Sequence, residues 1–165
     1  VRYWLGLGGN LGDTRSFFRQ ALKLIEERKL GKIIRKSSLY LTEPVGLESP
    51  VWFLNAAIEV ESRLKPQAML AGLKQIESEL GREPGPESQC LPRTIDLDIL
   101  MADDIIISKP GLVIPHPRMT ERRFVLEPLG EIAGTLLHPV LKKSVEELRQ
   151  ALAAGAEVRR LGEGL

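Results

Sequence analysis

Asp96 and Asp98, in the run Pro92-Arg93-Thr94-Ile95-Asp96-Leu97-Asp98-Ile99-Leu100, are the residues best placed to do chemistry. If the run is a strand, Ile95, Leu97 and Ile99 turn into the core, and both carboxylates project from the other face about 6.6 Å apart. Like charges so placed repel, and a dication beside or between them removes the penalty. Magnesium takes one or two carboxylates and completes its octahedron with water and substrate phosphates, so the pair fits one ion or two. Two ions about 3.5–4 Å apart would clamp both sides of an in-line displacement on a nucleotide. The competing reading is the solvent-facing side of an edge strand, against which stands the depletion of Asp in strands.

Other residues fit the same chemistry. Arg82, Arg93, His116, Arg118, Arg122 and Arg123 could surround a polyphosphate, the guanidinium forks giving bidentate contacts to its oxygens. Singly, Arg118 and Arg123 read equally well as solvated surface, and His116, between two prolines, as a structural loop residue. Phe53 could stack on a flat heterocycle while Asn55 reads its edge, with Thr42 adding a polar contact and Phe124 a second aromatic wall. Both phenylalanines read equally well as core. The glycines of Gly6-Leu7-Gly8-Gly9-Asn10-Leu11-Gly12 lack the G-x-G-x-x-G spacing of a dinucleotide site, and no G-x-x-x-x-G-K-[ST] phosphate loop occurs anywhere.

The elements that must position these residues are legible in the pattern. Tyr3 to Leu7 reads as a strand running into a glycine-dense turn, and Asp13 caps a helix whose apolar stripe is Phe18, Ala21, Leu22 and Ile25. Gly31 stands where that helix would end, near Leu30. Ile33 to Thr42 is a strand, and Trp52 to Glu61 is another, with Leu54, Ala56, Ile58 and Val60 on one face and Phe53, Asn55, Ala57, Glu59 and Glu61 on the other. Pro66 opens a second helix with Met69, Leu70, Leu73, Ile76 and Leu80 as its stripe and Gly81 as its stop. Residues 83–92 hold three prolines and a glycine and read as a loop. Thr94 to Met101 is the next strand, Ile105 to Ile107 a possible hairpin partner for it, and a short helix begins near Thr120. Ser144-Val145-Glu146-Glu147 matches a capping box for a last helix. The order β-α-β-β-α-β is that of a ferredoxin-like α+β sandwich, an antiparallel sheet flanked by helices, here with C-terminal additions.

Composition narrows the class. A chain of 165 residues with 43% hydrophobic content suits a single domain, 1–165. The net charge of +1 and 5% aromatic content argue against a nucleic-acid binder, so any anion must meet local clusters. A lone cysteine, Cys90, excludes an internal disulfide and suits a reducing, cytoplasmic setting. No apolar run approaches the roughly 20 residues of a membrane span, and the start at Val1 reads as trimmed or as a piece of a longer chain.

Taken together, GGNLGD at 8–13, TEPVG at 42–46, FLNAA at 53–57, IESELGR at 76–82, PRTIDLDIL at 92–100 and PHPRMTERRFVLEPL at 115–129 resemble the 6-hydroxymethyl-7,8-dihydropterin pyrophosphokinase family of folate biosynthesis. The resemblance implies a ferredoxin-like fold and magnesium-dependent transfer of the terminal pyrophosphate of ATP to a pterin hydroxymethyl group, releasing AMP. By position it implies that Asp96 and Asp98 bind two magnesium ions, with Arg82 and Arg93 joining them as catalytic residues. Arg82, Arg93, His116 and Arg122 would contact ATP, with Glu77 in the nucleotide site. Thr42, Pro44, Val45 and Asn55 would hold the pterin, with Phe53 and Phe124 sandwiching it. The implied partners are ATP, the pterin and other folate-pathway domains, with no nucleic acid or membrane. Gly9 stands where many relatives have serine, in a turn expected to accept either. The segment 83–91 lacks the basic residues and tryptophan usual in relatives. A non-catalytic ligand-binding domain of the same fold is the alternative, and an RNA-binding module of that fold a more distant one.

Overall fold

Hydrophobic alternation in β1 (Arg2–Gly9), β4 (Phe53–Glu61) and β5 (Asp96–Ala102) builds the centre of an antiparallel sheet, β1 lying between the other two. The computed structural model describes residues 1–43, 52–81, 94–152 and 157–165. Beyond β4, β2 (Lys32–Lys36) and β3 (Ser38–Thr42) both pair with it, and β8 (Val158–Gly164) adds an edge outside β3. With β2 and β3 counted as one strand, the central order is fourth, first, third, second, the ferredoxin-like arrangement expected from the element order.

The expected strand Ile33 to Thr42 is therefore interrupted at Ser37. This residue exchanges bonds with Ala57, its amide donating to the Ala57 carbonyl and its Oγ accepting from the Ala57 amide, both at 2.9 Å. A polar side chain takes over one ladder bond, and the strand bends around β4 without leaving a buried amide unsatisfied. β1 is longer than the expected Tyr3 to Leu7, because neighbours on both sides supply ladder bonds to Gly8 and Gly9. Gly9 is accordingly the last residue of a strand, not part of a tolerant turn. A Cβ there would stand 2.5 Å from the Thr94 carbonyl oxygen, so a serine requires the start of β5 to shift.

The amphipathic helices α1 (Thr14–Glu27) and α2 (Pro66–Glu79) cover one face of the sheet. Asp13 caps α1 by accepting the Ser16 amide. The helix ends earlier than Gly31 suggested: Lys29, at φ 57°, takes the left-handed position, and the Leu30 amide reaches back to the Ile25 carbonyl at 3.0 Å. Gly31 instead permits close approach to β4, since a Cβ there would collide with Val60 and the Glu61 carbonyl.

Among the described residues, the other face is covered in part. A 3₁₀ turn at Met119–Glu121 leads into α3 (Arg123–Ala133), and α4 (Val145–Ala151) packs against it behind the capping box of Ser144 and Glu147. Leu126, Leu129, Ile132, Val145 and Leu148 bury Trp4, Ala57, Leu100 and Met101 of the sheet. A bulge opposite Trp4, where the β1–β5 register shifts, lets Leu100 and Met101 both join this second core. Glu59, on the face expected to be the less apolar, is only 7% exposed, accepting from Trp4 Nε1 at 2.9 Å and Arg2 Nη1 at 3.0 Å. The run at Ile105 to Ile107 does not return onto β5. β6 (Ile107–Lys109) pairs with β7 (Leu112–Ile114), a small hairpin that delivers Pro115 and His116 to the sheet edge.

Candidate active site

On the face that α3 and α4 cover only in part, the register lines up two rows across three strands. Asn55 of β4 is opposite Gly8 of β1, which is opposite Asp96 of β5; Ala57, Gly6 and Asp98 form the next row. Register partners share a face, so Asp96, Asp98 and Asn55 look out on the same side while Ile95, Leu97 and Ile99 are buried in the α1/α2 core, as their alternation requires. The two glycines remove the side chains that would otherwise stand between the amide of Asn55 and the carboxylates. Two strand spacings separate Asn55 from Asp96, roughly 10 Å from backbone to backbone. The result is a shelf with a polar reader at one end, acid at the other and bare backbone between. These glycines are a structural feature of the candidate site that the sequence pattern alone did not single out. Their alternation, Gly6 and Gly8 flanking Leu7, was the available signal, obscured by the glycine-dense run that follows.

At the reader end, Asn55 Nδ2 donates to Thr42 Oγ1 at 2.8 Å, and both side chains are buried. This bond fixes the amide so that Oδ1 lies toward Gly8, where an added Cβ would be 3.1 Å away. Thr42 is opposite Phe53 in the β3–β4 ladder, and Phe53 is half-buried beside the pair. The expected cluster of Thr42, Phe53 and Asn55 is thus assembled by one strand pairing.

At the acid end, His116 docks on the edge of β5, its amide donating to the Leu100 carbonyl at 2.8 Å. Its Nδ1 accepts the Arg118 amide at 3.1 Å, which leaves Nε2 to carry the proton of a neutral ring. Burial, then the nearby charges of Arg122 and Arg118, push its pKa down to about 4, against the opposing pull of Asp96. Arg122, nearby in the chain, and Asp96, much earlier in it, are therefore both close enough to act on His116. Arg122 also stacks over the Phe124 ring, 5.6 Å from guanidinium carbon to centroid, so a residue expected to touch nucleotide and one expected to touch the pterin form a single unit at the start of α3. Glu77 is buried, 2% exposed, near the end of α2 where the chain leads toward Arg82. Arg82, Arg93, Pro44 and Val45, and with them Cys90, lie outside the described residues.

The donor set at Asp96 and Asp98 suits magnesium. Asp96 and Asp98 are half-buried on one face of β5, and two carboxylates so placed are a donor set that magnesium can complete with water and phosphate oxygens. No helix among the described residues is long and apolar enough to cross a membrane.

A ferredoxin-like sheet that gathers two carboxylates, a neutral histidine and a glycine-floored shelf on one face suits the binding of an anionic ligand. The comparisons are more specific. Residues 4–134 match the model of the 7,8-dihydro-6-hydroxymethylpterin-pyrophosphokinase family. A 2-amino-4-hydroxy-6-hydroxymethyldihydropteridine pyrophosphokinase of Bacillus subtilis is 44% identical over 129 residues, covering 78% of this chain and 76% of that protein. The folate synthesis bifunctional protein of Arabidopsis thaliana is 43% identical over 131 residues, 79% of this chain but only 27% of that protein. Among solved structures, the HPPK-DHPS of Plasmodium falciparum with pteroate superposes with a TM-score of 0.75 over 91% of this chain and 44% of that one, at 18% identity, a likeness of fold. The chain belongs to the 7,8-dihydro-6-hydroxymethylpterin-pyrophosphokinase family, and pyrophosphoryl transfer to the hydroxymethyldihydropterin in folate biosynthesis is its activity.

Proposed function

We propose that this chain moves the terminal pyrophosphate of ATP onto the hydroxymethyl oxygen of 6-hydroxymethyl-7,8-dihydropterin and releases AMP, using the shelf between Asn55 and Asp96. The observation that carries the reading is the register Asn55–Gly8–Asp96, which leaves an open span of roughly 10 Å between a heterocycle reader and a cation-binding pair. Asn55 and Thr42 hydrogen-bond the edge of the pterin ring, while Phe53 and Phe124 stack on its faces. The ring's hydroxymethyl arm then extends over Gly8 toward the carboxylates. Pro44 and Val45 belong to the same acceptor side.

Asp96 and Asp98 hold two magnesium ions, which when bound neutralise the phosphate oxygens and the charge that develops in transfer. Arg82, Arg93 and Arg122 orient the polyphosphate, Glu77 lies in the nucleotide site, and the neutral His116 donates from Nε2 to a phosphate oxygen. The hydroxymethyl oxygen bonds to the β-phosphorus as the bond from that phosphorus to the α,β-bridging oxygen breaks, and AMP leaves with the bridging oxygen. The hydroxyl proton is released to solvent. Positioning and electrostatics supply the acceleration, and no covalent enzyme intermediate forms. Other folate-pathway domains are the partners this reading implies, as in the Arabidopsis bifunctional relative.

Nucleotide-product analysis tests the reading. The chain, ATP, magnesium and the reduced pterin should yield AMP and the pterin diphosphate in equal amounts. Chelation of magnesium should stop both, and formation of ADP, or of AMP without the pterin, would overturn the assignment.

A further inference from the structure

The family match ends at residue 134, whereas this chain continues through α4 into β8. β8 lies outside β3, distant in sequence from every residue of the site. Yet its first residues hold the acceptor end at several points. Val158 is opposite Thr42 in the ladder, and the Glu157 carbonyl accepts the Glu43 amide at 3.1 Å, directly after Thr42. The guanidinium of Arg159 stacks on the Trp52 ring, 5.4 Å from the centroid, directly before Phe53. Glu157 steadies Arg159 through a 2.8 Å ion pair.

Arg160, next in the strand and so on the opposite face, is aligned with Tyr40 and works differently. It donates to Ser38 Oγ at 3.2 Å and lies 3.5 Å from Glu131 of α3. Glu131 also accepts from the Tyr40 hydroxyl at 2.7 Å and the Ser38 amide at 2.9 Å. Tyr40 is the register partner of Asn55, and α3 is the helix whose first turn carries Phe124. Arg160 therefore helps lock the helix that presents one aromatic wall to the strand that presents Thr42. Asp96 and Asp98 of β5, with His116 docked beside them, sit at the other edge of the sheet from β8.

We propose that Arg159 and Arg160 are positioning residues for the acceptor: β8 sets the spacing of Thr42, Phe53 and Phe124 around the pterin and leaves the nucleotide end alone. The inference rests on the pyrophosphokinase reading for the identity of the acceptor.

The test uses the full chain with Arg159→Ala and Arg160→Ala combined. Both side chains are largely exposed, 62% each, so the fold should survive and a melting curve checks it. Calorimetric titration of the pterin, with a non-hydrolysable ATP analogue present, should show affinity weakened roughly three- to tenfold, as expected for loss of two partly exposed contacts. The analogue titrated alone should bind within about twofold of the parent, and kcat at saturating pterin should hold. Lysine at both positions should recover part of the pterin affinity, because it keeps the charge near Glu131 and Trp52. Equal weakening of both ligands, or no weakening of the pterin, overturns the proposal. A parent chain that binds the pterin but forms no AMP defeats the functional reading instead, and the comparison of variants remains readable by calorimetry.

Discussion

The two faces of one sheet are built from the same strands and serve opposite ends. Toward α1 and α2, Leu5, Leu7, Leu54, Ile58, Val60, Ile95 and Leu97 form a closed core in which each residue is at most 8% exposed. Toward α3 and α4, the apolar core is confined to the half holding Trp4, Ala57, Leu100 and Met101. The other half carries Gly6, Gly8, Asn55, Asp96 and Asp98. A strand that must satisfy both faces alternates, and the first half of β5 shows it: neighbours in the chain, Leu97 and Asp98, answer to different demands. On the proposed reading the closed face accounts for stability and the other for chemistry, so substitutions one residue apart should fail in different ways.

The largest contrast is therefore Asp98→Asn against Leu97→Ala. The asparagine keeps the shape and loses the charge, and turnover should fall by roughly 10³-fold or more with the melting temperature unchanged or raised. The alanine should cost about 2–5 kcal/mol of stability, read by denaturant unfolding, while kcat of the remaining folded protein stays near that of the parent. If Asp98→Asn retains activity, the open face is not where the cation is held.

A smaller contrast isolates the floor of the shelf. At Gly6 an added Cβ would meet the Leu100 side chain at 3.4–3.6 Å, ordinary contacts, whereas at Gly8 it would stand 3.1 Å from Asn55 Oδ1. Gly6→Ala should leave kinetics nearly untouched. Gly8→Val should block the span between reader and carboxylates and lower kcat/KM by about 100-fold, the cost of misplacing a reacting group by an ångström. Equal effects at the two positions would mean that the floor does not set the geometry.

Much of this division was legible in the sequence, because alternation is a local code. The faces of β4 and β5, the Asp13 cap, the capping box at Ser144 and the helical stripes all follow from spacing that neighbouring residues enforce. What escaped was set by partners distant in the chain. The break at Ser37 depends on Ala57, the burial of Glu59 on Trp4 and Arg2, and the extension of β1 through Gly9 on having a strand on either side. Gly31 looked like a helix stop and is a packing glycine, since the helix could already end on Lys29. The strand β8 carries the weakest signal: Val158-Arg159-Arg160-Leu161-Gly162 has little apolar alternation, and an edge held by arginine contacts needs little. At the site, the types and order of residues pointed to Asn55, Asp96 and Asp98, but only the register shows that glycines separate them.

The smallest expected effect lies in protonation, and it again compares two places. The chain has two histidines, and both have pKa values lowered from the ordinary 6.5 by burial: His116 at the acid end, to about 4, and His138, whose Nδ1 accepts the Val140 and Leu141 amides. In each case the unfolded chain binds the proton more readily than the folded one. Their contribution to stability is therefore present above about pH 6.5 and is lost as pH falls toward the folded values, for His116 between 6.5 and about 4. Proton NMR of the ring signals should show His116 neutral at pH 6.5 and His138 titrating below its ordinary value in the free protein. Nucleotide and magnesium should then separate them. Phosphate oxygens brought beside His116 add negative charge to a ring now held down in part by Arg122 and Arg118, so its pKa should rise, while His138 should titrate as before. A shift at His138 and none at His116 would place the polyphosphate elsewhere on the sheet.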